Sequence, residues 1–214
     1  MNRYTVPVGA VEQSAAGYQL ILRVPEPAAK LIRQQQARSV ELGIDDGRLI
    51  SVQQRKKIYA TLRDIAEHTG YTDEAMKEVM KIEHMMRTGC EYFSLSDCSV
   101  TDAREFINTL MEYALKEGII MTESGLQRTD DVDCYLIQCI RYRRCCICGR
   151  PADLHHVDAS GMGNNRRHYD DSGSRVMALC RMHHTLYHQR GGQVFMNTYK
   201  VYGIERYRTE KQEV

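Results

Sequence analysis

The sequence predicts an α+β protein: a mixed N-terminal domain of strands followed by helices, then a small C-terminal domain organised by metal. Three observations carry this. Two short apolar stretches bounded by turn residues open the chain. Long stretches with helical periodicity and cap residues follow. Near the end, Cys145, Cys146, Cys148 and Cys180 fall in a segment that also holds six of the eight histidines, between positions 155 and 188. The 214 residues allow one large domain or two small ones. A composition of 43% hydrophobic and 27% charged residues excludes collagen, coiled-coil and disordered classes.

Residues 3–12 and 17–24 read as strands, joined by a turn at Ser14-Ala15-Ala16-Gly17. Pro25 and Pro27 end the second, and 28–36 suits a short helix. Ser39–Ile44 alternates with period two and runs into Asp45-Asp46-Gly47, a turn signal. Ser51-Val52-Gln53-Gln54 has capping-box spacing, and Ile58, Leu62, Ile65 and Ala66 recur at helical spacing until Gly70. Thr72-Asp73-Glu74 starts another helix, with Met76, Val79, Met80, Ile82 and Met86 expected in the core. Ser99–Asp102 is a further capping box; Phe106, Leu110, Met111 and Leu115 continue that helix and Gly118 stops it. The stretch 119–130 reads as the linker, which gives domains of 1–125 and 126–214. A helix over 131–143 then leads into the cysteines, and 194–200 reads as a short packing helix, with Tyr202 and Ile204 beyond it.

No segment approaches the roughly 20 apolar residues of a membrane span. The N-terminus lacks a charged head followed by an apolar run, so no signal peptide is expected, and a cytoplasmic location follows. Residues 141–214 carry 13 Lys and Arg against 7 Asp and Glu, whereas residues 1–140 carry 16 against 21. The basic C-terminal part suits a polyanion, but a bias of this size does not decide it.

Eight cysteines in a chain without secretory features argue against a disulfide framework. Cys90, Cys98, Cys134 and Cys139 lie on apolar-periodic stretches and read as core thiols. Cys145 and Cys148 form C-x-x-C followed by Gly149, a zinc-knuckle turn whose glycine permits the tight backbone. Cys180-Arg181-Met182-His183 supplies a C-x-x-H pair. Together they give Cys145, Cys148, Cys180 and His183, a closed Cys3His set suited to structural zinc. His184 and His188 have i, i+4 spacing, so on a helix they share one face and can grip one ion. His155 and His156 stand beside them in Asp153-Leu154-His155-His156-Val157-Asp158.

The segment from Cys145 to His188 resembles the HNH endonuclease motif, the ββα-metal nuclease fold. The resemblance rests on C-x-x-C-G, on His155-His156 followed by Val157, and on Leu179-Cys180-Arg181-x-His183-His184 with His188 four positions on. It implies that His155, His184 and His188 hold a catalytic divalent metal, Mg²⁺, Mn²⁺, Ni²⁺ or Zn²⁺. It also implies that His156 is the general base and that the Cys3His set holds structural zinc. Neighbouring strand residues point to opposite sides, so His155 can bind the ion while His156 faces an attacking water. Cleavage to a 5′-phosphate and a 3′-hydroxyl is the implied outcome. One departure is the family's middle Asn: Ser174-Arg175-Val176-Met177-Ala178 has none, and Asn164 or Asn165 are the substitutes at hand. Arg166 and Arg167, in the Gly-rich basic loop 161–169, are expected to contact phosphates. In the same loop, His168 reads as a surface residue, or as one that supports a ligand from behind, rather than as a ligand.

The whole arrangement resembles phage proteins grouped as HNHc nucleases, through Leu154–Ala159, Gly161-Met162-Gly163 and Ala178–His184. More loosely, residues 1–125 resemble the phage NinB recombination proteins, through Gln53–Ile58, Phe93–Ser99 and Glu105–Ile119. These likenesses imply a metal-dependent DNA endonuclease in phage or prophage recombination or replication, working in the bacterial host cytoplasm. Implied partners are DNA, single-stranded or branched, and other phage recombination proteins, and a homo-oligomer is admitted. Arg55, Lys56 and Lys57 are candidate phosphate contacts, set against a solvated first helical turn. The competing reading is a zinc-stabilised single-stranded-DNA-binding recombination mediator with an inactive HNH module, which the missing Asn favours. Retention of all four site histidines favours the enzyme.

Overall fold

The structure, a computed structural model, describes residues 6–15, 17–37, 47–158, 174–206 and 208. The predicted strand at Ser39–Ile44 and the loop carrying Asn164, Asn165, Arg166, Arg167 and His168 lie outside the described residues. Strands β1 (Val8–Ser14) and β2 (Gly17–Leu22) form an antiparallel ribbon with Val11 opposite Leu20. Helix α1 (Glu26–Gln34) starts at Pro25 and buries Ala28. The ribbon and helix fall close to the expected positions because prolines fix the boundary between them.

Helices α2 (Val52–Thr69), α3 (Asp73–Thr88) and α4 (Val100–Glu117) pack on one another. Their starts are chemical. Ser51 and Gln54 close a reciprocal capping box at 3.0–3.1 Å, Thr72 caps Ala75, and Ser99 caps Asp102. Each such cap contributes about 1 kcal/mol. Their ends are the left-handed residues Gly70, Gly89 and Gly118.

The predicted α3 stripe needs correction. Met76 and Met80 are buried, but Val79, Ile82 and Met86 are exposed, and Lys81 and His84 take the inner positions. The buried line runs Met76, Met80, His84, one residue every four. His84 fits there because its Nδ1 meets Thr109 Oγ1 at 2.7 Å and its ring stands edge-on to Phe93 and Phe106. Lys81 Nζ is held by Tyr92 Oη at 3.1 Å and lies over the Tyr92 ring.

The stretch 119–130 carries helix α5 (Gly125–Arg128) and is packed. Arg128 and Asp64 form a buried pair at 3.3 Å, joined by Thr122 Oγ1 donating to Asp64 at 3.0 Å. Helix α6 (Val132–Arg141), capped by Asp131, touches α4 on one side and strand β4 on the other. Glu112 on α4 accepts from Tyr142 Oη at 2.6 Å and from Arg87 of α3, with Arg141 at 3.5 Å. The apolar core therefore runs without a break from Ile50 to Ile204.

Strands β3 (Asp153–His156) and β4 (Arg175–Leu179) pair antiparallel, with His155 opposite Met177. Helix α7 (Arg181–Arg190) and the expected packing helix, α8 (Gly192–Tyr199), follow. The two-residue strand β5 (Ile204–Glu205), absent from the sequence expectation, adds to the free edge of β4. No helix among the described residues is long and apolar enough to cross a membrane.

Candidate metal centres

Two clusters of ligating side chains meet on the β3–β4–α7 unit. The first is Cys145, Cys148, Cys180 and His183. It starts from a tight knuckle. Cys145 N–H donates to Arg150 O at 2.7 Å and Gly149 N–H to Cys145 O at 2.8 Å, with Gly149 at φ 70°. Cys146 N–H donates to Ala178 O at 3.0 Å, which pins the knuckle to β4 and brings it against Cys180 at the start of α7.

The spacings suit a tetrahedral ion. Zinc bonds of about 2.3 Å to sulfur and 2.0–2.1 Å to nitrogen give edges of about 3.8 Å between sulfurs and about 3.5 Å between sulfur and nitrogen. Cys148 and Cys180 sulfurs stand 3.7 Å apart, and His183 Nδ1 lies 3.4 Å from Cys145 Sγ and 3.3 Å from Cys180 Sγ. This set could hold a metal ion such as zinc. Burial pushes the Cys145 thiol up to about 12, so without a cation it stays protonated. Cys180 lies below its ordinary value. Burial pushes it up, but the His183 backbone N–H, the Cys148 and Cys145 side chains and the Met182 N–H outweigh that. None of the eight cysteines is in a disulfide; Cys98 and Cys139 are buried as expected, and Cys90 and Cys134 are half-buried.

The second cluster is His155, His184 and His188, each offering a ring nitrogen within 4.8 Å of the others. His155 comes from β3 and the other two from successive turns of α7. The His184 and His188 Nε2 atoms are 3.3 Å apart, and the His155 ring centroid lies 4.7 Å from that of His184 and 5.2 Å from that of His188. His155 is buried, and its Nε2 has no hydrogen-bond partner. A buried polar atom left without a partner is costly, and a cation among three imidazoles satisfies it. Burial first, then the charges of His184, His188 and His156, push the His155 imidazole down to about 4. It is therefore neutral at physiological pH, with a lone pair to give.

His156, next on β3, is exposed. The strand pleat separates it from His155, as the adjacency suggested. A cleft of about 400 Å³ opens beside His184, lined also by Asp153, Arg181 and Thr185. At the mouth of the β3–β4 pair, Asp158 accepts from the Arg175 backbone N–H at 2.9 Å and from its guanidinium at 2.6 Å. This pair ties the end of β3 to the start of β4.

Of the N-terminal phosphate candidates, Arg55 donates to the Leu95 and Ser96 carbonyls at 3.0 and 2.9 Å. Lys57 donates to Thr129 O at 2.7 Å and pairs with Asp130. Those two cations serve their own fold, and Lys56 is exposed. Sequence reasoning missed Tyr187, whose ring lies 4.2 Å from that of His155. An aromatic on a helix reads as core, so only its place between His184 and His188 could have flagged it.

A family model described as Putative HNHc nuclease matches residues 22–210. No curated protein and no solved structure matches the chain.

Proposed function

The chain belongs to the HNHc nuclease family, and from that premise we propose that it is a metal-dependent DNA endonuclease of the HNH type. One observation carries the reading: a buried, unpartnered His155 Nε2 shares a site with His184 and His188, beside the exposed His156. A zinc scaffold alone needs none of these four.

In this reading His156 is the general base. It takes a proton from a water as the oxygen attacks phosphorus in line and the bond to the 3′ oxygen breaks. His155, His184 and His188 hold one divalent ion, Mg²⁺, Mn²⁺, Ni²⁺ or Zn²⁺. Bound there, such an ion would supply Lewis-acid stabilisation of the negative charge that grows at the scissile phosphate. Cys145, Cys148, Cys180 and His183 hold structural zinc, which fixes α7 against the knuckle. Arg166 and Arg167 contact substrate phosphates, and exposed Arg181 in the adjoining cleft is placed to do the same.

Residues 126–214 supply the nuclease. Residues 1–125 act as a NinB-like part that presents single-stranded or branched DNA. The setting is phage or prophage recombination in the host cytoplasm, with other recombination proteins or a second copy as partners. The absent Asn favours the competing reading, a non-cutting single-stranded-DNA mediator. Purified zinc-loaded protein is incubated with supercoiled, single-stranded and branched DNA and each divalent ion. Metal-dependent cutting that EDTA stops is the expected result; binding without cutting under every ion rejects the enzyme.

A further inference from the structure

We propose that Tyr187 is a positioning residue for His155, held in place by Phe195 and by the missing side chain of Gly192. The inference rests on reading His155, His184 and His188 as a metal site.

A ligating histidine is ordinarily oriented by a hydrogen bond through its second ring nitrogen. Among the described residues no hydrogen bond to the His155 ring is present, so packing must orient it. Tyr187 makes the shortest of its ring contacts, 4.2 Å between centroids at an interplanar angle of 62°. Because Tyr187 sits on α7 between His184 and His188, the helix that carries two ligands also carries the wall for the third.

Tyr187 is in turn fixed from behind. It is buried, and the Phe195 ring of α8 lies 5.4 Å away. A Cβ at Gly192 would stand 2.3 Å from Tyr187 Oη and 2.5 Å from its Cζ. Gly192 does not have the left-handed φ of its neighbour Gly191, so space rather than backbone freedom requires glycine there. The wall continues to the other cluster: Phe195 lies 4.7 Å from Tyr199, whose ring is 5.7 Å from His183. One aromatic layer thus backs both sites, and the α7–α8 packing sets the aim of His155.

The test is calorimetric titration of zinc-loaded protein with Ni²⁺, an ion suited to imidazole ligands. Losing an orienting partner ordinarily costs about 10–100-fold in metal affinity. Tyr187→Leu is expected to weaken Ni²⁺ binding by at least about tenfold while keeping the zinc. Tyr187→Phe keeps the ring and retains the wild-type affinity. Gly192→Ala also weakens binding, and adds nothing further in the Tyr187→Leu background, because its clash is with the phenol. Wild-type Ni²⁺ affinity in folded, zinc-loaded Tyr187→Leu overturns the proposal. Should that variant fail to hold zinc, wild-type affinity in Gly192→Ala overturns it instead. His155→Ala separates the two failures. If it binds Ni²⁺ normally, the metal-site reading falls and this inference with it. If it loses Ni²⁺ while the Tyr187 and Gly192 variants do not, this inference alone falls.

Discussion

Two adjacent histidines meet opposite environments one residue apart. His155 points into the protein and carries an unpartnered buried nitrogen, while His156 faces solvent. The proposed roles therefore separate experimentally. His156→Ala should lower cleavage by about 10²–10⁴-fold, the usual worth of a general base, with zinc content and Ni²⁺ affinity unchanged. Cleavage rates and metal titration on one preparation check it, and normal cutting removes His156 from the mechanism. This contrast was legible in the sequence because strand alternation is rigid. The buried Lys81 and His84 were not, since a hydropathy pattern ranks a methionine above either. Only the partners Thr109, Tyr92 and the flanking phenylalanines, brought by other segments, make those positions affordable.

Elements that announce their ends were easiest to read. Helices α2, α3 and α4 carry Ser51, Thr72 and Ser99 as caps and a glycine at each stop. Strand β5 was invisible because two residues have no period, and only the end of β4 makes them a strand. The Cys3His frame was legible because ligand spacing is set by the ion's geometry, whereas Tyr187 looks like any core aromatic. Cys148→Ser should lose the zinc and destabilise the fold, most directly at β3, β4 and α7, because ligand binding there is folding energy. Zinc stoichiometry and circular dichroism read the outcome; full zinc with an unchanged spectrum refutes the assignment. The joint of α3, α4 and α6 titrates. Burial pushes Glu112 up, but the Tyr142 and Arg87 hydrogen bonds and the Arg87 and Arg141 charges hold it below the ordinary carboxylate range. A depressed carboxylate contributes stability above its unfolded value, near pH 4.3, and loses it as pH falls through the folded value. Glu112→Gln should thus cost about 1–3 kcal/mol at pH 7. That difference should shrink below about pH 4. Urea midpoints at pH 7 and pH 3.5 test it, and a difference that grows in acid is the wrong sign.

Across the whole molecule, the proposed DNA-presenting part and the proposed nuclease share one core. Helix α6 joins the two: Gln138 donates to Asn108 O on α4 at 3.1 Å, while Tyr135 Oη donates to Cys146 O in the cysteine knuckle at 3.3 Å. Just after α6, Arg144 Nε donates to Leu115 O at 3.1 Å and its guanidinium crosses the end of α4. Gly118 makes that crossing possible. Its φ is 74°, and a Cβ there would stand 2.3 Å from Arg144 Nη2. Gly118→Ala therefore strains the helix end and displaces Arg144, at a cost of at least about 1 kcal/mol. Arg144 precedes Cys145 and bridges Pro151, so if the core is one cooperative unit that cost should also loosen the Cys3His set. Heating should then release zinc and melt helix at the same temperature in the wild type, and Gly118→Ala should lower both together by several degrees. Zinc release that stays at the wild-type temperature while the helices melt earlier would mean that the two halves fold apart, with α6 merely resting on α4.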